Sequence, residues 1–348
     1  MNRLLTISTT LESGEDNLFI YEKGIDSYRA WGAFDVGSRP SYHIVHPTLP
    51  ILYCVNEKNI PMHGESGSIK AYRVDVKEHV LYELNEVESL GDDPCFLIID
   101  PSAEYLLCAN YSGSSITIFK IAGDGSLSEA LQRFSWEGHS INEERQEASH
   151  PHTICFSPDG SYIYVPDLGC DTLRVFSREK GDLPFKERPD LDVKVTPGSG
   201  PRMLSFIPGT NQVWLINELS NTACRYTYID GVLTLNLEID LFIRVDRTRE
   251  GIENTSAHLY CSKDYTIFSN RGLNDLVVFR EDGCAAYSGK GSAPRFFLVD
   301  ESTLQLMVAW QGSDRVDLYT ISESGQLSFE KELFHHGEPS CISIANIQ

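Results

Sequence analysis

Residues 151–177, PHTICFSPDGSYIYVPDLGCDTLRVFS, read as three short strand patterns joined by two tight turns. Pro151–Phe156 and Tyr162–Val165 are apolar and rich in aromatic and β-branched residues, as strands prefer. SPDG between them is a hairpin turn, with Gly160 taking the positive φ that other residues resist. LGCD then turns the chain into a third strand, Thr172–Phe176.

Aligning the chain on this stretch uncovers further copies. They open PSYHIVHPTLPILYCVNE at Pro40, PCFLIIDPSAEYLLCANYSGSSITIF at Pro94, PRMLSFIPGTNQVWLINELSNTACRY at Pro201, SAHLYCSKDYTIFSNRGLNDLVVF at Ser256 and PRFFLVDESTLQLMVAWQGSDRVDLY at Pro294. A truncated copy, PSCISIAN, starts at Pro339. Spacings of 38 to 57 residues fall in the range of propeller blades. A fourth strand follows a Gly turn, as in Asp124–Phe134, Asp230–Phe242 and Ser324–Phe334, and its apolar–polar alternation suits a strand with one wet face. The pattern predicts an all-β, seven-bladed β-propeller of four-stranded antiparallel blades in one domain, residues 1–348. The last copy supplies one strand, and Leu4–Ser8, Asn17–Tyr21 and Tyr28–Phe34 supply three, so the chain's two ends should share a closing blade and leave no open edge.

Composition narrows the function. The chain has 348 residues, 41% hydrophobic and 23% charged, with a formal net charge of −21. That balance excludes nucleic acid, which needs clustered Lys and Arg, and admits an anionic substrate only where positive charge is gathered locally. No apolar run reaches the roughly 18–20 residues of a membrane span, and MNRLLTISTTLES lacks the apolar core of a secretory signal. Nine cysteines, none in a CxxC pair, predict reduced thiols and a cytoplasmic setting. Three charged connections, Asn56–Ser68, Trp136–Ser149 and Arg244–Thr255, are either solvated loops or covers for a pocket.

The local positive charge comes from the repeat. In each copy the residue after the opening Pro and the residue 16 later are predicted to pair at one rim: Ser41 with Glu57, Cys95 with Tyr111, His152 with Leu168, Arg202 with Glu218, and Arg295 with Gln311. The copy from Ser256 is two residues shorter and sets Arg271 opposite Ala257. Three consecutive blades thus offer His152, Arg202, Glu218 and Arg271 to one mouth. An imidazole, a carboxylate and two guanidiniums are reagents for acid–base chemistry on an anionic or carbonyl substrate. Alone, Arg202–Glu218 reads as a structural ion pair and His152 as an inner-strand histidine; their shared rim position argues for a site. Glu57, Asn110, Tyr111, Asp167, Arg295 and Gln311 are candidate substrate contacts. Asn56, Asn110, Asn217 and Asn270 recur at one repeat position and also fit hydrogen bonding of strand ends. A metal alternative would draw on His150, His152, Glu57, Asp167 and Glu218, although the nearby arginines would repel a cation.

The segments SHPHTICFSPDGSYIYVPDLGCD, GSGPRMLSFIPGTNQVWLINELSNT, ENTSAHLYCSKDYTIFSNRG and APRFFLVD resemble the lactonase family of seven-bladed propellers, over nearly the whole chain. That family includes propeller-type 6-phosphogluconolactonases and fungal muconate lactonising enzymes. The resemblance implies a cofactor-free site at His152, Arg202, Glu218 and Arg271 and, on family prevalence, hydrolysis of a sugar lactone; the residues themselves suggest a site without metal, with Arg202 and Arg271 as the anion clamp and Glu218 or His152 as the base. A lactonising cycloisomerase and a non-catalytic ligand-binding propeller are the alternatives. The expected partner is a small anionic or lactone substrate, with no nucleic acid or membrane, and the expected state a monomer or weak homo-oligomer. The chain departs from the family pattern at Met203, where His is usual, at His258, where an acidic residue is usual, and in the N-terminal ISTT.

Overall fold

A computed structural model describes residues 2–25, 27–242 and 253–347. The predicted connection Arg244–Thr255 therefore lies largely outside the described residues. The fold is a seven-bladed β-propeller, and its strands cluster into two compact units, Met1–Glu137 with His336–Gln348, and Gly138–His335.

The first unit holds three four-stranded antiparallel sheets. In the closing blade the C-terminal strand Pro339–Ile347 comes first in sheet order, followed by Asn2–Thr9, Leu18–Lys23 and Tyr28–Phe34. Leu5 pairs with Ile344 and Ile7 with Ile342, so the two ends of the chain are joined side by side. Apolar residues of neighbouring blades interdigitate: Ile51, Tyr53 and Val55 pack with Leu97, Leu106 and Phe119. In the second unit Tyr164 and Val175 likewise pack with Leu204, Val213 and Leu215. Tyrosine hydroxyls add polar ties: Tyr53 donates to Gly125 O at 2.8 Å and Tyr164 to Gly231 O at 2.9 Å. Both acceptors are hairpin-turn glycines at positive φ, as is Gly160 of the opening stretch.

The second unit holds four sheets. Three are regular; the fourth, built on residues 151–194, splits its outer strand into Phe185–Glu187 and Val193–Lys194. Pro189 interrupts that strand because it cannot donate to a ladder, and the Arg188–Asp190 bridge at 2.7 Å lies in the break. No helix among the described residues is long and apolar enough to cross a membrane. All nine cysteines are free thiols.

The register corrects the predicted rim pairing. Pro201 faces Asn217, and the next pair is Met203 with Ile216, so Arg202 is an extra residue on a β-bulge. The same shift follows Pro94, Ser256 and Pro294. In the blade of the opening stretch Pro151 bridges Asp167, and the ladder resumes at Cys155 opposite Tyr164. A bulge breaks the alternation of side-chain facing and re-aims the extra residue. Here it turns Arg202 and Arg295 out of the ladder, and Glu218 sits just past its strand end.

Candidate functional site

Glu218 is the centre of a buried ion cluster. Its backbone N–H donates to Gly200 O at 2.7 Å, which fixes the residue beyond the strand Gln212–Asn217. Its side chain is 1% exposed. One oxygen, Oε1, accepts from Arg145 Nη2 at 2.6 Å and lies 2.8 Å from Arg271 Nη2; the other, Oε2, bonds Arg202 Nη1. Burial alone would raise the Glu218 carboxyl, but Arg271, Arg202 and Arg145 outweigh it and hold the group well below the usual carboxylate range.

Neighbouring hairpins lock the arginines. Arg202 donates from Nε to Ala257 O at 2.7 Å, and its carbonyl accepts from Thr153 Oγ1 at 2.9 Å. Burial, opposed by Glu218 and reinforced by Arg271 and Arg295, lowers the Arg202 guanidinium to about 10, so it stays charged at neutral pH. Arg271 N donates to Thr255 O at 2.9 Å, and the turn that follows is capped by Asn254 Oδ1, which accepts from the N–H of Gly272 and Leu273. Arg271 Nε is buried and has no hydrogen-bond partner among the described residues. A buried donor in that state is poised for an acceptor.

His152 stands beside the cluster and is itself buried. Burial is the main cause that holds its imidazole well below the ordinary value, and Arg202 and Arg295 add to it while Glu218 pulls the other way. The ring is neutral at physiological pH. Arg295, partly buried on its bulge, forms no ion pair among the described residues, yet its charge acts on both His152 and Arg202. Gln311 opens a short 3-10 turn, Gln311–Ser313, with its N–H on Ala293 O at 3.0 Å.

The second unit thus gathers all four predicted catalytic residues and adds Arg145, which sequence reasoning missed. Arg145 comes from the charged connection Trp136–Ser149, whose lack of periodicity gave no facing; the charge of that loop was the available signal.

The other candidates divide. Asp167 is wholly buried and bonds Arg174 at 2.9 Å, Ser149 Oγ at 2.8 Å and the His150 N–H at 2.9 Å, contacts that tie its own hairpin together. Asn110, in the first unit, is also wholly buried, and its amide donates to Ser89 O and Ser115 Oγ, both at 3.1 Å. The recurring asparagines clamp strand ends: Asn56 bonds Ser68, Asn217 bonds Thr222 and Asn270 bonds Asp275. Glu57, in the first unit, lies 3.5 Å from Arg39, and Tyr111 donates its N–H to Asp93 O at 2.9 Å. For the metal alternative, His150 is taken by Glu147 at 3.1 Å, and Asp167 and Glu218 by arginines. Among the described residues no three His, Cys, Asp or Glu side chains converge as metal ligands. Met203 packs into the apolar layer with Trp214 and Leu259, and His258 rests on Phe296 and Phe297 with ring centroids 4.2 and 4.9 Å away.

Residues 21–344 match the family model described as lactonase, 7-bladed beta-propeller. A 6-phosphogluconolactonase of Formosa agariphila is 27% identical, over 86% of this chain and 87% of its own. One from Bacillus subtilis is 25% identical, over 87% of this chain and 86% of its own. Among solved structures, a periplasmic gluconolactonase of Pseudomonas aeruginosa superposes with a TM-score of 0.88 and 26% identity, covering 100% of both chains.

Proposed function

Because the chain belongs to the family of seven-bladed β-propeller lactonases, we propose that it hydrolyses the internal ester of a sugar lactone carrying or developing negative charge. The observation that carries this reading is the Glu218 cluster: three guanidiniums held on one buried carboxylate beside a neutral imidazole. With Arg295, four cations face one anion, the local positive potential that a chain of net charge −21 needs in order to bind an anion.

Roles follow from the bonding. Glu218 is a poor base, since both of its oxygens are engaged by guanidiniums; its task is to hold the arginines in place. His152 is the base. It takes a proton from water as the water oxygen adds to the lactone carbonyl carbon. The oxyanion so formed is met by Arg271, whose Nε–H is uncommitted, and by Arg202. Collapse breaks the ring C–O bond, and the imidazolium returns its proton to the leaving alkoxide. Arg202 and Arg295 depress the basicity of His152, and an anionic substrate that offsets their charge raises it, so proton affinity increases as the site fills. Arg295 is the clamp for the substrate's anionic group.

The relatives named for 6-phosphogluconolactone and gluconolactone hydrolysis favour ring opening over the lactonising direction. The free thiols argue for a reducing compartment, while the Pseudomonas relative works in the periplasm.

The test is acid release from δ-gluconolactone and its 6-phosphate by wild type, His152→Asn and Arg271→Ala. Wild type should exceed both variants by at least about a hundredfold in kcat/KM. Equal rates for all three would leave only an anion-binding propeller.

A further inference from the structure

Asp171 touches none of the groups assigned to the reaction, yet it is bonded to the backbone segments that carry them. It lies in the LGCD turn of the opening stretch, buried, at a φ of 47°. Its Oδ2 accepts from Ser140 Oγ at 2.5 Å and from Gly198 N at 2.6 Å, and its Oδ1 accepts from Gly200 N at 2.7 Å. Its own carbonyl accepts from Val195 N at 3.0 Å. Ser140 belongs to the loop that delivers Arg145. In that loop Ser140 N donates to Gln146 O at 3.0 Å, and the wholly buried Gln146 donates from Nε2 to Leu168 O at 2.8 Å. Gly200 is two residues before Arg202, and its carbonyl receives the Glu218 N–H.

We infer that Asp171 is a positioning residue that sets the spacing of Arg145, Arg202 and Glu218 by binding the Arg145 loop and the Gly198–Gly200 turn to one buried carboxylate. Two segments far apart in sequence would otherwise place their guanidiniums independently. Charge-assisted hydrogen bonds to a shared carboxylate fix both at once, and a displacement of about 1 Å at such a site costs roughly a hundredfold in rate. The kinetic part rests on the lactonase reading above; the geometric part does not.

A double-mutant cycle tests it. Ser140→Ala cuts only the link to the Arg145 loop and should lower kcat/KM on δ-gluconolactone about tenfold with an unchanged KM for bulk binding of neutral substrate. Because that loss runs through Arg145, Ser140→Ala with Arg145→Ala should be no worse than Arg145→Ala alone. Asp171→Asn keeps an acceptor for Gly200, loses the one for Gly198, and should fall about 10–100-fold. If Asp171→Asn does not fold, the Ser140 cycle decides alone. Additive losses, or a Ser140→Ala variant indistinguishable from wild type, would overturn the proposal. The thermal shift produced by inorganic phosphate is read on the same proteins. A wild type that hydrolyses no lactone but shows the same non-additivity in its phosphate shift would overturn the lactonase reading and keep the role of Asp171.

Discussion

Replacing Glu218 by Gln removes one negative charge and almost no volume, and its effect can be worked from three contacts. Arg145 at 2.6 Å, Arg271 at 2.8 Å and the adjacent Arg202 all lose their counter-charge, and the new amide turns N–H donors toward guanidinium donors. Removing one member of a buried ion pair costs about 3–5 kcal/mol, because the remaining charge stays buried without compensation. Unfolding entropy of about 2.1 cal/mol/K per residue gives roughly 0.7 kcal/mol/K for 348 residues, so the melting temperature should fall by about 4–7 °C. Inorganic phosphate, which can stand between the freed arginines, should recover part of that loss by binding the native state. Activity should drop by at least about a hundredfold in kcat/KM. Calorimetry or circular dichroism with and without phosphate, alongside acid-release kinetics, reads all three. A variant that melts with wild type but has lost its turnover would show Glu218 acting as a base rather than a scaffold, and would refute the assignment.

Acid sensitivity should trace partly to His43, wholly enclosed between Ser8 Oγ at 2.9 Å and Ser343 Oγ at 2.8 Å, with its imidazole lowered to about 3 by burial. The folded value lies below the unfolded one near 6.5, so this stabilisation is complete above pH 6.5 and is lost at about 1.4 kcal/mol per pH unit on going down toward 3; a His43→Gln variant should show a melting-temperature slope shallower by one proton, and an unchanged slope counts against it. Arg295→Ala should raise KM for a phosphorylated lactone more than for a neutral one, and should move the acidic limb of the pH–rate profile upward, because a cation near His152 is gone; a downward move would contradict the placement. Asn110→Ala removes the amide's bonds to Ser89 O and Ser115 Oγ, both at 3.1 Å, while Thr117 Oγ1 at 2.7 Å still serves the Ser89 carbonyl, and it should cost about 1 kcal/mol of stability while kcat/KM stays at the wild-type value.

Much of the architecture is legible because each copy repeats its own local rules. Gly160, Gly125 and Gly231 mark hairpin turns by the φ they must adopt, and alternation marks the outer strands. Even the shared closing blade follows from counting strands at the two ends. The exact pairing is not legible, since a bulge adds one residue without any composition that distinguishes Arg202 from a regular strand residue. The conclusion that Arg202 meets Glu218 survives, for a reason the simple reflection does not contain: the extra residue is aimed by the bulge, and Glu218 lies past the ladder. Arg145 escapes because a loop has no period from which to read a direction. Asn110 and Asp167 read as ligand contacts in sequence because polar residues at strand ends serve chain geometry and binding alike; the hydrogen-bond partners that each has within the fold are not legible there.

The pairing of Asn2–Thr9 with Pro339–Ile347 also has a consequence for biosynthesis. A ribosome adding about 5–20 residues per second releases every other blade with its strands already in hand. The closing blade must wait for Pro339–Ile347, and until then Asn2–Thr9 presents an unpaired edge that another nascent chain could occupy. Joining residues 330 to 345 apart in sequence makes this the slowest contact to find by diffusion. Substitutions that weaken Pro339–Ile347 therefore strike the seam itself, and a circular permutant opened in an exposed outer turn should finish its seam earlier in translation.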